Sequence, residues 1–159
     1  MIFVTVGAQD FPFDRLLASI DGLIEKGIIN DNVIAQAGSS HYKPKHYAYW
    51  DYLTFDVFDR YLSECSLLIT HGGTGSIVSG LKKGKTVIAV PRQKKYHEAV
   101  DDHQAEIIGI FADNDMVIRV QEMEDLEEAI NKSNSFCPRQ FISGRDTIIK
   151  LIGEFISSG

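Results

Sequence analysis

Residues 67–76 decide the fold class, and they read Leu67-Leu68-Ile69-Thr70-His71-Gly72-Gly73-Thr74-Gly75-Ser76. The first four residues are a short apolar run, typical of a strand that is buried on both faces of a sheet. Three glycines within four residues then mark a tight turn, and residues 77–83 have the spacing of a helix that ends at Gly84. The stretch therefore predicts a strand, a glycine-rich turn and a helix in direct succession.

The same alternation continues on both sides of this stretch. Strands are predicted at 2–6, 33–37, 52–54, 67–70, 86–90 and 116–120. Helices are predicted at 13–24, at 56–65 with Asp56 as the cap, and at 77–83, 98–111, 123–131 and 138–156. Strands that alternate with helices form a mainly parallel sheet through right-handed crossovers. The sequence thus predicts a doubly wound α/β fold, with residues 1–159 as a single domain.

The composition excludes several classes of protein. The chain is 44% hydrophobic and 24% charged, and its formal net charge of −6 provides no global field that attracts nucleic acid or an anionic membrane. No stretch approaches the roughly 18 apolar residues of a membrane span. Cys65 and Cys137 form neither a disulfide framework nor a metal pair, and we predict two inert core thiols. We expect a protein of the reducing cytosol with no metal site and no nucleic-acid partner.

The glycine-rich turn is also the candidate ligand site. Ligands of parallel sheets bind at the carboxyl ends of the strands, where Gly7, the 71–76 turn and the loop after Val90 converge. Glycines let a ligand approach the backbone closely, and free N–H groups at the start of a helix favour an anion. The alternative is a tight turn that needs glycine only for its backbone conformation.

Two better-known phosphate loops do not fit this turn. A dinucleotide fingerprint that starts at Gly73 requires glycine or alanine where the chain has Val78. A Walker A motif over residues 80–86 is one residue short, and it leads from a helix into a strand instead of the reverse. What remains is a diphosphate site without a recognised set of magnesium ligands.

Basic residues follow the turn without any acidic residue between them. From residue 82 to residue 95 these are Lys82, Lys83, Lys85, Arg92, Lys94 and Lys95. The alternative interpretation of the lysines is a solvated helix end followed by a loop. Arg92 directly follows the predicted strand end at Pro91, where its guanidinium could bind a phosphate or a uracil carbonyl in a forked geometry.

Two blocks of the sequence resemble the donor-binding half of glycosyltransferase family 28, and in particular its small subunits of the Alg13, PssE and Cps14G type. The first block comprises residues 69–76 and 82–85, and the second comprises residues 87–92, Glu98 and residues 101–104. Residues 3–7 and 11–17 match the start of these proteins as well. The resemblance implies a Rossmann-like domain that is one half of a GT-B fold and binds a UDP-sugar.

The resemblance also assigns site residues. Those expected to hold the diphosphate are His71, Gly72, Gly73, Thr74, Gly75, Ser76 and Gly7. Those expected at the nucleotide or the sugar are Arg92, Glu98, Asp102, His103 and Gln104. Two departures from the family concern ribose recognition and the identity of the donor. Ser79 or Gly80 stands where many relatives have a ribose-binding glutamate, and Ala99 stands where histidine is common.

Several residues have a second interpretation beside the ligand role. His71 either donates to the diphosphate or satisfies a loop carbonyl, and Asp101 can simply cap the helix that follows it. His103 can titrate near neutral pH. Sugar transfer needs a base for the acceptor hydroxyl and donors for the leaving diphosphate. This chain offers donors for the leaving diphosphate but no recognised base, so we expect the base on another subunit.

The function implied by the resemblance is the donor-binding subunit of a two-chain glycosyltransferase. The expected partner is an Alg14- or PssD-like membrane-associated subunit, and the acceptor is a polyprenyl diphosphate-linked sugar of exopolysaccharide or capsule synthesis. No cofactor is expected beside the UDP-sugar substrate. The chain is expected in the cytoplasm, held at the inner face of the cell membrane by its partner.

Two other functions remain open at this point, namely a non-catalytic enhancer of another transferase and a stand-alone nucleotide-sugar-binding enzyme. Apolar residues occupy most positions of 147–156. We predict that this segment docks the partner, with packing on the domain's own sheet as the alternative.

Overall fold

The computed structural model describes residues 1–141, which form a six-stranded parallel sheet with helices on both faces. The strands are β1 (Ile2–Thr5), β2 (Val33–Gln36), β3 (Ala48–Trp50), β4 (Leu67–His71), β5 (Thr86–Val90) and β6 (Ile118–Arg119). Their order across the sheet is β3-β2-β1-β4-β5-β6. This order changes direction at β1, which pairs with both β2 and β4, so the predicted doubly wound α/β fold is confirmed.

The central strands are apolar because helices cover both of their faces. The helices are α1 (Asp14–Glu25), α2 (Phe55–Glu64), α3 (Thr74–Lys82), α4 (His103–Asp113) and α5 (Leu126–Ser133). Two short 3₁₀ turns lie at Lys94–Tyr96 and Met123–Asp125. Helices α1 and α5 pack on one face of the sheet, and α2, α3 and α4 pack on the other. All residues of β1 and β4 are consequently buried.

Some element boundaries differ from those predicted. The third strand is Ala48–Trp50 rather than 52–54, because Ala48 pairs with Ile34 of β2. Thr54, not Asp56, caps α2, and its Oγ1 accepts from the N–H of Val57 at 3.4 Å. Helix α3 begins three residues earlier than predicted, directly after Gly73. The glycine-rich turn is therefore partly the first turn of a helix.

Differences also occur in the second half of the chain. Helix α4 begins at His103 instead of residue 98, since a loop and a 3₁₀ turn occupy the residues before it. Cys65 is buried as predicted, but Cys137 is exposed. Residues 138–141 are not helical. The remainder of the helix predicted over 138–156, with the apolar segment 147–156, lies outside the described residues. Within residues 1–141, no helix is both long and apolar enough to cross a membrane.

Candidate functional site

The start of α3 presents main-chain N–H groups at the carboxyl end of β4. Gly73 occupies the cap position without a side-chain hydrogen bond to the helix. The N–H of Ile77 donates to the carbonyl of Gly73 at 3.2 Å. The N–H groups of Thr74, Gly75 and Ser76 precede this bond and have no acceptor inside the helix. Three donors and the positive end of the helix dipole are therefore available to an anion.

The His71 ring explains two of the glycines. A Cβ on Gly7 would lie 2.5 Å from Cε1 of His71, and a Cβ on Gly73 would lie 2.3 Å from its Nε2. Gly7 also has a positive φ of 77°, which favours glycine. Gly75 is different, since a Cβ there would meet nothing within 4 Å. Gly7 and Gly73 are thus required to accommodate the His71 ring, whereas Gly75 borders open space.

His71 is a buried, neutral imidazole. It is 5% exposed, and its Nδ1 lies 3.3 Å from Oγ1 of Thr70. Burial and then the charge of Arg92 lower the pKa of His71 to about 4, while a hydrogen bond with the Thr5 main chain opposes this shift. The ring packs between the turns that follow β1 and β4. The sequence left open whether His71 donates to a diphosphate or to a main-chain carbonyl, and its hydrogen bond with the Thr5 main chain is of the second kind.

Gln104 joins the ends of two neighbouring strands. Its Oε1 accepts from the N–H of Gly72 at 3.3 Å and from the N–H of Arg92 at 3.0 Å. The approach is close, because a Cβ on Gly72 would lie 2.6 Å from Cβ of Gln104. The first turn of α4 is thereby held against the glycine-rich turn. Gly72 is required for this packing.

Arg92 lies inside the protein and binds main-chain carbonyls. It has no exposed surface, and its guanidinium donates to the carbonyls of Phe11 (2.7 Å) and Val6 and packs over the ring of Phe13. Its Nε is buried and has no hydrogen-bond partner in the described chain. Burial lowers the pKa of Arg92 to about 10, against the opposing effect of Glu98, so the side chain stays charged. The Arg92 guanidinium, which the sequence predicted to bind a ligand, therefore binds the loop after β1.

Glu98 is also engaged by the protein. The carboxylate is 3% exposed and accepts from Nε and Nη2 of Arg15 at 2.7 and 3.0 Å, and from the N–H of Gln93 at 3.0 Å. The Arg15 guanidinium lies 4.3 Å from the ring centroid of Tyr96. Sequence reasoning did not single out Arg15, although it lies in the 11–17 block that resembles the family. The Arg15–Glu98 pair ties α1 to the loop after β5.

Asp102 and His103 lie exposed at the start of α4. Oδ1 of Asp102 accepts from the N–H of Lys94 at 2.9 Å, and Nδ1 of His103 lies 2.9 Å from Oε2 of Glu106. Hydrogen bonding to Glu106 and the charge of Asp101 raise the pKa of His103. Oδ1 of Asp101 accepts from the N–H of His103 at 3.1 Å, but Asp102 occupies the cap position of α4 and no side chain caps the helix there, so Asp101 contacts the first turn from the position before the cap.

A cavity of about 430 Å³ lies beside these loops at the carboxyl end of the sheet. Its lining residues are Ala8, Gln9, Asp10, Phe11, Ala99, Val100, Asp101 and Gln104. A larger cavity of about 510 Å³ is lined by Ile2, Leu67 and Thr86, among others, and so lies where the strands begin. Because parallel sheets bind ligands at the carboxyl ends of their strands, the smaller cavity is the candidate site. Gln104 connects it to the start of α3.

The basic residues do not form one patch. Lys82, Lys83 and Lys85 precede β5, and Arg92 and the last two lysines follow it, so the two groups lie at opposite ends of the strand. Nζ of Lys83 lies 3.0 Å from Oδ1 of Asp59, and Nζ of Lys85 donates to the carbonyl of Ser63 at 2.7 Å. The described residues contain no group of three or more His, Cys, Asp and Glu side chains placed to hold a metal.

Known proteins resemble the chain in sequence. The family model described as the glycosyltransferase family 28 C-terminal domain matches residues 1–148. The UDP-N-acetylglucosamine transferase subunit ALG13 of Mus musculus is 30% identical in an alignment over 116 residues, and the alignment covers 66% of this chain and 9% of the mouse protein. The chain therefore spans less than a tenth of the length of that relative.

Solved structures resemble it in fold. The NMR solution structure of ALG13 superposes with a TM-score of 0.61 at 18% identity, over 95% of this chain and 93% of that one. The kitacinnamycin glycotransferase gives 0.59 at 15% identity, over 96% of this chain and 37% of that one. MurG of Acinetobacter baumannii superposes with a TM-score of 0.57 at 16% identity, over 81% of this chain and 40% of that one. The fold is Rossmann-like and corresponds to one half of the GT-B architecture, and the match over residues 1–148 shows that the chain belongs to the glycosyltransferase family 28 C-terminal domain family.

Proposed function

We propose that this chain is the donor-binding subunit of a two-chain glycosyltransferase. It would bind the diphosphate of a UDP-sugar at the glycine-rich turn, and the sugar would pass to a polyprenyl diphosphate-linked acceptor in exopolysaccharide or capsule synthesis. The observation that carries the proposal is the start of α3. The N–H groups of Thr74, Gly75 and Ser76 lie there without helical acceptors, and Gln104 connects the turn to the 430 Å³ cavity.

The charges below this site also favour an anionic ligand. The chain has a formal net charge of −6, but near these loops Arg15 pairs with the buried carboxylate of Glu98, while Arg92 binds main-chain carbonyls and is influenced by the same carboxylate only through its charge. The three side chains leave one excess positive charge beneath the loops that border the cavity. A partly buried charge is screened less by salt than a charge at the surface. This excess and the dipole of α3 together favour a diphosphate.

A second subunit would supply the acceptor side. A general base works best with a pKa near the operating pH, and His71 is buried with a pKa of about 4. His71 is therefore not suited to be that base, and the relative from mouse is itself named a transferase subunit, which supports a second chain beside this one. The partner would be an Alg14- or PssD-like membrane-associated protein. It would hold this chain at the cytoplasmic face of the cell membrane.

Calorimetry with UDP tests the donor site. We expect UDP and UDP-sugars to bind without magnesium and NAD not to bind. Gly75→Val should weaken UDP binding at least about tenfold, because the new side chain enters open space beside the N–H groups. Gly22→Val is the matched control, since Gly22 is a helical glycine of α1 with equally open surroundings. Equal UDP affinity of the two variants would show that the turn is only structural.

Co-purification tests the partner. Phe155→Asp in the apolar 147–156 segment should abolish association with the partner and transferase activity, while UDP binding by the isolated chain survives. Lys150→Ala is the control within the same segment, and it should leave association unchanged. Full transferase activity of the Phe155→Asp variant would place the interface elsewhere.

A further inference from the structure

The two edge strands of the sheet differ in how well they are protected. Edge strands expose unpaired main-chain groups, and proteins usually block them by short length or by charged side chains. Strand β6 has two residues, and one of them is the exposed, charged Arg119. Strand β3 consists of Ala48, Tyr49 and Trp50, without a charge or a proline, and within residues 1–141 it pairs only with β2. In the described part of the chain, the β3 edge is therefore open to another strand.

The main-chain groups of Tyr49 face away from the sheet. The carbonyl of Trp50 accepts from the N–H of Ala37 at 2.8 Å, so the main-chain groups of Trp50 are directed at β2. Successive residues of a strand direct these groups to opposite sides, so the N–H and carbonyl of Tyr49 are directed outward. An antiparallel strand centred on Tyr49 would exchange both hydrogen bonds with it.

Large exposed side chains are concentrated beside the same edge. Of the five large hydrophobic side chains that are exposed within residues 1–141, Trp50, Tyr52 and Phe55 lie close together in sequence, and Phe55 is 83% exposed. The ring of Trp50 is already ordered, because it stacks on Tyr61 with the ring centroids 6.1 Å apart. Association at this edge would remove apolar surface from water at a small cost in side-chain entropy.

The charges along this edge change sign from one end to the other. Exposed Lys43 and Lys45 precede β3, and exposed Asp51 and Asp56 follow it. None of these four side chains has an ion pair within residues 1–141. In an antiparallel pair of identical strands, the basic end of each lies opposite the acidic end of the other. A second copy is thus complementary in charge, whereas an anionic membrane would meet carboxylates beside the aromatic rings.

We propose that two copies of this chain form a symmetric dimer in which their β3 strands pair antiparallel and join the two sheets into one. The two-fold axis passes at Tyr49, so the N–H of each Tyr49 donates to the carbonyl of the other. Ala48 then lies opposite Trp50 of the second copy, and its small side chain leaves room for the large ring. The dimer does not depend on the proposed donor site, because β2 separates β3 from β1 and the loops of that site.

Sedimentation equilibrium of the full chain at about 1–200 µM tests this dimer. We expect a reversible dimer of twice the 17.8 kDa monomer mass with a Kd of about 10 µM, because the contact is small for a specific interface. Ala48→Lys should raise the Kd at least about tenfold, since the new charge lies in water in the monomer but against the Trp50 ring in the dimer. Asn131→Lys is the matched control, because it adds the same charge to an exposed position of α5 and should leave the Kd unchanged.

Reversal of the charges tests the antiparallel orientation. Lys45→Glu and Asp51→Lys should each raise the Kd by about threefold or more, and the double variant should recover most of this loss, because opposite charges meet again with their signs exchanged. A general effect of net charge would instead move the Kd of the two single variants in opposite directions.

A chain that stays monomeric at about 200 µM would overturn the proposal. A dimer that Ala48→Lys leaves intact would also overturn it, and loss of that dimer in Phe155→Asp would place the contact in the 147–156 segment. Calorimetry with UDP keeps this result separate from the donor site, since Ala48→Lys should bind UDP as the unmodified chain does. Failure of UDP to bind either chain would contradict the proposed function and leave the dimer unaffected.

Discussion

Replacement of Arg92 separates a structural role from a ligand contact. Arg92→Ala leaves the buried carbonyl of Val6 and the partly buried carbonyl of Phe11 without their donor. An unsatisfied buried group costs about 1–3 kcal/mol, and breaking a buried charged network costs about 3–5 kcal/mol. Because the guanidinium also packs over Phe13, we expect the free energy of unfolding to fall by about 3–5 kcal/mol.

Urea unfolding followed by circular dichroism measures this loss, and UDP titration of the folded variant measures the effect on binding. Arg92→Lys is the matched control, since it keeps the charge but cannot bind two carbonyls with a planar fork. We expect it to recover less than half of the lost stability. A loss below about 1 kcal/mol in Arg92→Ala, together with UDP affinity reduced tenfold or more, would refute this reasoning and restore Arg92 as a ligand contact.

Four further substitutions test the packing of the site and the pH dependence of stability. Gly73→Ala should lower the free energy of unfolding by about 1–3 kcal/mol, because its Cβ meets the His71 ring, whereas Gly75→Ala should change it by less than about 0.5 kcal/mol in the same thermal scan. Since the pKa of His71 is about 4 in the folded chain and about 6.5 when unfolded, the unfolded state binds the proton first, and stability should fall between pH 6.5 and pH 4. His71→Gln should flatten that slope in urea titrations. Burial raises the pKa of Asp21, but hydrogen bonds from residues 42–46 outweigh this effect and lower the pKa below 3.8. The charged Asp21 therefore stabilises the fold above pH 3.8, and this contribution is lost as the pH falls through the lowered pKa of the folded chain. Asp21→Asn should lower stability at neutral pH by about 1–3 kcal/mol, and an unchanged urea midpoint would contradict that role.

Local signals predicted the centre of the fold well and its edge poorly. The residues of β4 and β5 are apolar runs that end at a glycine-rich turn or a proline, and both strands lie where they were predicted. The edge strand Ala48–Trp50 was missed because its aromatic residues were interpreted as the end of the preceding polar loop. Its position is set by pairing with β2, a contact between distant parts of the chain.

The site was predicted at the level of loops rather than side chains. Gly7, the 71–76 turn and the loop after Val90 do meet at the carboxyl ends of the strands, as the topology requires. The direction of the Arg92 side chain was not predictable from its neighbours in sequence. It depends on carbonyls about eighty residues away in sequence. The contact between Arg15 and Glu98 likewise joins residues about eighty positions apart.

Titration of the isotope-labelled full chain with UDP, followed amide by amide in NMR spectra, tests the donor site most directly. We predict saturable shifts that are largest at the main-chain N–H groups of Thr74, Gly75 and Ser76 and extend to the side-chain amide of Gln104. No saturable shift at these amides, or shifts confined to the opposite end of the sheet around Asn131, would contradict UDP binding at the start of α3.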